Sequence, residues 1–287
     1  MFDFPEMLTF PLGEWINIIV KWLTINLEPF FDVITIGIRE PLVQLEHGLW
    51  WLPWWVIILI LVAVAWKMAG YKIALVSLFG MLFIGTMQLW DQTMTTLAII
   101  ITSVVVSLLI GIPIGIVAAK NDRFESIMRP ILDGMQTMPS FVYLIPAVFF
   151  FGLGKVPAVV STFIYAVPPC IRLTNLGIRQ VSTELVEAGR AFGCSGAQLL
   201  FKIQLPLARP SIMTGVNQTI MMALAMVVIA SMIGASGLGL EVLRGIQRLD
   251  VGHGFLAGFS IVIVAIIIDR ISQSLGKADS GKSLLKH

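Results

Sequence analysis

What this sequence most lacks is charge. Of 287 residues only 13% are Asp, Glu, Lys or Arg, while 57% are hydrophobic. A soluble domain carries roughly a quarter charged residues, so this chain has too few to clothe a water-soluble globule of its length. Reactive side chains are also sparse. Cys170 and Cys194 are the two cysteines, and they give neither a disulfide framework nor metal-ligand spacing. His47, His253 and His287 are too scattered for a metal site. Lys and Arg number 19 against 17 Asp and Glu, a net +2 that is too even for a nucleic-acid binder. The opening stretch MFDFPEMLTF is acidic, so no cleavable signal peptide is expected.

Apolar sequence is abundant instead. A membrane-crossing helix needs about 20 largely apolar residues, and seven candidate segments emerge: 50–66, 73–89, 95–118, 140–154, 156–171, 212–234 and 255–271. Trp50, Trp51, Trp54 and Trp55 open the first as an aromatic cluster suited to a membrane interface. Segments 140–154 and 156–171 are short and broken by Pro146, Pro157, Pro168 and Pro169. They are read as two spans with a tight turn near Gly152, a single re-entrant unit being the alternative. Of the 19 Lys and Arg, 14 fall in one set of alternate loops and 5 in the other. The basic set faces the cytoplasm, which puts the N-terminus outside and the C-terminus inside.

The first 49 residues hold seven carboxylates and two bases. Phe30, Phe31, Ile34 and Ile38 share one helical face there, opposite Glu28, Asp32 and Arg39, with Pro29 as a start signal and Pro41 as a stop. This is an amphipathic helix either lying on the outer membrane surface or packed on the protein's own spans.

The longest cytoplasmic loop, 172–211, is the informative one. Ser182 or Thr183 caps a short helix with Glu184 and Glu187 near its positive end. Gly193 suits the left-handed residue that ends it. Ser195 and Gln198 form a capping box for a second helix, which Pro206 and Pro210 should stop. Such an elbow is a docking knob or an ordinary connection between helices.

The spacing Glu187-Ala188-Gly189, three residues, Gly193, nine residues, Ile203-Gln204-Leu205-Pro206 resembles the EAA loop of ABC-transporter permeases. It departs from that pattern at Gly189, where the family has Ala. The resemblance implies that the loop is a coupling helix seated in a cytoplasmic ATPase. Gly193 would then permit the turn, Glu187 would touch the ATPase, and Ile203, Leu205 and Pro206 would fix the loop to the membrane core. The stretch from Met135 to Leu144 (MQTMPSFVYL), Pro168-Pro169, AMVVIA from Ala225 and IGASGLG from Ile233 are similar to permeases of glycine betaine/proline importers. Where that family reads Ala-Pro-Gly, this chain has Ala235-Ser236-Gly237.

The resemblance implies an all-α polytopic membrane protein of about seven transmembrane helices with the type I ABC importer permease fold. It would comprise an acidic N-terminal segment (1–49), two peripheral helices (50–92), a permease core (93–272) and a cytoplasmic tail (273–287). The chain would be a multi-pass cell-membrane protein with no enzymatic activity of its own. ATP and Mg would be bound by a separate ATPase present in two copies. A second permease copy, an external substrate-binding protein and membrane lipid are the other expected partners. Glycine betaine, proline betaine, choline, carnitine, proline and trimethylamine N-oxide are all open as substrates.

Other features read structurally. A Walker A string, Gly276 followed by Gly281-Lys282-Ser283, has a membrane span before it rather than a strand, and is read as chance. Gly234–Gly239 is read as a helix break near the pore or outer gate, and Gly111 with Gly115 as a close-packing pair. No charged residue lies deep in a span, which argues against an ion-coupled secondary transporter of a small zwitterion; a membrane-embedded enzyme is a third reading. Asn217, Gln218 and Ser231 are candidates for the translocation path or for bonds between helices. Phe149, Phe150 and Phe151 offer a cation–π surface or lipid-facing packing.

Overall fold

Backbone polar groups inside a bilayer have no water to bond, so the chain must satisfy them itself. The computed structural model describes residues 11–277, and among them there are helices and turns but no strand. The N-terminal part is α1 (Leu12–Asn26) and α2 (Glu28–Trp51), followed by the antiparallel pair α3 (Trp54–Ala69) and α4 (Tyr71–Thr86). Next come α5 (Trp90–Lys120), α6 (Asp122–Thr137), α7 (Leu144–Phe151) and α8 (Lys155–Arg179). The elbow is α9 (Thr183–Ala191) and α10 (Gly196–Leu199), and α11 (Leu205–Ala230), α12 (Leu238–Arg248) and α13 (Val251–Lys277) complete the chain.

The seven apolar segments fall on helical stretches, although 50–66 straddles the end of α2 and the start of α3 and 140–154 holds only the short helices up to Phe151. Four stretches are long and apolar enough to cross a membrane: Trp90–Lys120, Lys155–Arg179, Gly196–Ile233 and Val251–Ser274. α3 and α4 have 16 residues each, about 24 Å at the helical rise and short of a ~30 Å hydrocarbon core. α2 meets α3 at 105° across Leu52 and Pro53, and α6 meets the short pair Ser140–Phe151 at 110°. Counting each bent pair as one broken span brings the total to six. Trp50 and Trp51 end α2 rather than open the first span.

α5, α8 and α11 form the packed centre, with α13 against α11 and α12, and α3 and α4 against α13. Small residues set the closest approach. A Cβ on Gly115 would lie 2.6 Å from Thr174 Cβ and 2.8 Å from the Ile171 carbonyl, and one on Gly111 3.0 Å from Val167 Cγ2. The α5–α8 seam therefore requires the glycine pair, as its four-residue spacing suggested.

The N-terminal helix packs on the protein itself. Ile38, Leu42 and Glu46 of α2 are buried against the α5–α8 side, with Phe31 and Ile34 half-buried. Phe30, expected on that face, is 57% exposed. Pro41 does not stop the helix, which continues to Trp51. The packed face at 38, 42 and 46 spans the proline on both sides and outweighs the bond the proline cannot make, about 3 kcal/mol.

Candidate functional site

The elbow at 183–204 is built from local signals. The Ser182 hydroxyl accepts from the Leu185 N–H at 3.4 Å and starts α9. At the other end Gly193 has φ +78°. The Cys194 N–H donates to the Gly189 carbonyl at 3.0 Å and the Gly193 N–H to the Arg190 carbonyl at 2.9 Å. This pair of bonds is a Schellman closure, and a left-handed residue is what allows it. The capping box then launches α10: the Ser195 N–H donates to Gln198 Oε1 at 2.9 Å and the Gln198 N–H to Ser195 Oγ at 3.3 Å.

Gly189 is buried where the two halves of the motif meet. A Cβ there would lie 2.7 Å from Ile203 Cδ1 and 2.8 Å from Leu199 Cδ1. Both are terminal methyls that can turn aside, so an alanine fits with a small adjustment and a larger side chain would part the helices. Ile203 and Leu205 are half-buried, while Glu187, Ala188 and Pro206 are exposed. Phe192 stands at the tip with 89% of its surface exposed, flanked by Leu185 at 48%.

Pro206 and Pro210 do not stop the helix after the elbow. Residues Leu200–Gln204 form a π turn in which the Leu205 N–H reaches the Leu200 carbonyl, and Pro206 follows in the first turn of α11. The wider turn takes up the strain of a proline that has no N–H to give. The result is one stretch of 38 residues from the elbow to Ile233, about 57 Å long.

At its far end this stretch breaks. Gly234 has φ +84° and Gly237 φ +118°. Gly237 lies against α5: a Cβ would be 2.5 Å from Thr96 Oγ1, and that oxygen accepts the Leu238 N–H at 2.8 Å. The Gly154 N–H donates to the Ile233 carbonyl at 3.0 Å. Two turns, 152–154 and 234–237, thus meet the N-terminal part of α5 at one end of the bundle. The Ser236 hydroxyl, where the resembled family has proline, is enclosed with no hydrogen-bond partner.

The three path candidates are not brought together. The Ser272 hydroxyl on α13 donates to Asn217 Oδ1, a bond between helices. Gln218 faces the other way, into a cavity of about 460 Å³ that Arg129, Arg172 and Asn175 also line. Ser231 is buried and donates to the Val228 carbonyl of its own helix at 2.6 Å. Phe150 stacks on Phe31 of α2 with centroids 4.5 Å apart, Phe151 meets the same ring edge-on, and Phe149 is exposed.

Two charged clusters near the ends of spans went unnoticed in the sequence. Glu46, only 4% exposed, accepts from Lys155 Nζ at 2.6 and 2.7 Å and from Thr95 Oγ1 at 2.7 Å. This ties α2 to the α7–α8 turn. Glu241 accepts from Arg244 at 2.6 Å and lies 2.8 Å from His253 Nε2. The i, i+4, i+8 spacing of Ile38, Leu42 and Glu46 was the available signal, since it sets a carboxylate on an apolar face. Residues Gly281, Lys282 and Ser283 of the Walker-like string lie outside the described residues. Among the described residues no group of three metal-ligating side chains exists.

Comparison with known proteins agrees with this architecture. Residues 111–278 match the family described as "Binding-protein-dependent transport system inner membrane component". The glycine betaine/proline betaine permease ProW of Escherichia coli is 47% identical over 93% of this chain and 75% of its own length. The glycine betaine permease OpuAB of Bacillus subtilis is 48% identical over 92% and 94%. The glycine betaine/carnitine permease GbuB of Listeria monocytogenes is 49% identical over 95% and 98%. The inward-facing methionine ABC transporter MetNI shares the fold, with TM-score 0.55 and 22% identity over 63% of this chain and 89% of that one. With long helices around a glycine-packed seam, a capped elbow at one end and a family match spanning more than half its length, the chain belongs to the binding-protein-dependent transport system inner membrane components, the multi-pass permease subunits of ABC importers.

Proposed function

We propose that this permease carries glycine betaine or a closely related quaternary amine inward, and that the elbow at 183–204 is where a separate ATPase drives it. Two copies form the pore, each presenting one elbow to one of two ATPase subunits. The ATPase subunits bind ATP with Mg. An external binding protein delivers the substrate at the end where 152–154 and 234–237 meet. The N-terminus lies on that outer side and the C-terminus on the cytoplasmic side. Approximately even numbers of acids and bases, with the buried carboxylates Glu46 and Glu241 each paired to a cation, suit a cargo with no net charge.

The observation that carries this reading is the continuity of the elbow with α11. Phe192 projects from a turn locked by two hydrogen bonds, and the stretch from Gly196 to Ile233 is unbroken. When ATP closes the ATPase pair, the two elbows move together and α11 acts as a lever about 57 Å long. Its far end is the glycine break held to α5 through Thr96, so a displacement at the elbow reaches the outer closure. Hydrolysis then lets the inward-facing arrangement return. The chain itself makes and breaks no covalent bond.

The test is uptake in vesicles holding the permease, its ATPase and its binding protein. ATP-dependent accumulation of radiolabelled glycine betaine, absent when only an ion gradient is supplied, is the expected result. Gradient-driven accumulation without ATP would overturn the reading.

A further inference from the structure

We propose that the cleft between the α3–α4 turn and the last turns of α13 holds the phosphate-bearing headgroup of an anionic phospholipid. The cleft encloses about 630 Å³ and is lined by Lys72, Arg270, Gln273 and Ser274 beside Met68 and Ile73. Among the described residues its lining has two cations and no carboxylate. Neither Lys72 nor Arg270 has an ion-pair partner among the described residues. The nearest carboxylate on α13, Asp269, is engaged by Gln273 Nε2 at 2.8 and 2.9 Å.

The backbone adds donors. α4 begins after Gly70, which offers no capping side chain, so the first-turn N–H groups beside Lys72 are without a side-chain acceptor. Unpaired cations together with uncapped amides suit a tetrahedral anion. A soluble phosphate would use only these groups, but the surroundings fit a lipid. Trp66 and Tyr71, 67% and 62% exposed, flank the turn as interface aromatics do. Leu75, Val76 and Phe79 then continue along α4 as an exposed apolar track, where acyl chains would run. The cleft lies at the elbow's end of the bundle, because the opposite end of α4 leads through 87–89 into the start of α5, where Thr96 meets Gly237. Basic pockets between spans at this surface are where acidic headgroups bind.

The full chain, purified and placed in phosphatidylcholine nanodiscs doped with phosphatidylglycerol, provides the test, with retained lipid counted by native mass spectrometry. The wild type should retain phosphatidylglycerol over phosphatidylcholine by about tenfold. Lys72→Gln with Arg270→Gln should abolish that preference. Lys72→Arg with Arg270→Lys should keep it, as should Lys120→Gln with Arg123→Gln, which removes equal charge at the same end. An unchanged preference in the neutral double variant would overturn the assignment, and so would an equal loss in the Lys120/Arg123 control. Glycerol 3-phosphate displacing the lipid at equal concentration would overturn the lipid identity in favour of a free-anion site.

Discussion

Substitution of Gly193 separates backbone geometry from contact at the elbow. Its φ of +78° lies in the left-handed region, while a Cβ built there meets nothing within 4 Å. Any penalty within the chain is therefore conformational rather than steric. Left-handed backbone costs a non-glycine residue about 1–2 kcal/mol, or roughly a 5- to 30-fold increase in the unformed turn. Asn tolerates this region better than Ala, and a β-branched residue is the worst fit. ATP-driven uptake in reconstituted vesicles should thus fall in the order Gly, Asn, Ala, Val, with ATPase activity losing its coupling to substrate in the same order. Asp occupies the region about as easily as Asn, so the difference between Gly193→Asp and Gly193→Asn reports the added charge at the ATPase surface. Equal defects for Asn and Val would refute the reasoning, since side-chain volume rather than backbone would then decide. Full uptake with Val would refute it as well.

Glu46→Ala strands Lys155 beside a buried site and should destabilise the protein by about 3 kcal/mol, the lower end for a broken buried pair, because Lys155 keeps 31% of its side chain exposed. Thermal unfolding in detergent measures it, and the added Lys155→Met should recover part of the loss. Gly115→Ala would press a methyl on Thr174 and the Ile171 carbonyl and should cost about 1–3 kcal/mol, seen as a lower melting temperature. Ser236→Ala removes an enclosed hydroxyl with no partner and should leave stability equal or raised by up to about 1 kcal/mol. Thr96→Val removes the acceptor for the Leu238 N–H and should cost about 1–3 kcal/mol in the same assay.

The helical architecture and the elbow were legible because they rest on local chemistry. Ser195 with Gln198 and Gly193 with its left-handed turn act within six residues, and so appear in sequence as spacing. The seam at Gly111 and Gly115 showed for the same reason. Proline was misread as a stop in two places. Pro41 sits in a helix held by packing at Ile38, Leu42 and Glu46, and Pro206 follows a π turn that makes room for it; neither compensation is visible in composition. The 105° bend at Leu52 and Pro53 turned a tryptophan cluster assigned to one span into the end of one helix and the start of another. Charges that pair across long sequence separations, as Glu46 does with Lys155, leave no periodic trace of their partner. The same holds for Asn217, whose bond to Ser272 crosses between two spans.

The central claim is that the tip of the elbow seats in the ATPase. A single cysteine at Phe192→Cys, in a chain carrying Cys170→Ala and Cys194→Ala, provides the direct measurement. Treatment of the assembled transporter with a short thiol-to-amine crosslinker should yield a permease–ATPase adduct whose amount changes when ATP is added. No adduct from Phe192→Cys, with a strong one from a cysteine in α6 at the same end of the bundle, would contradict the account.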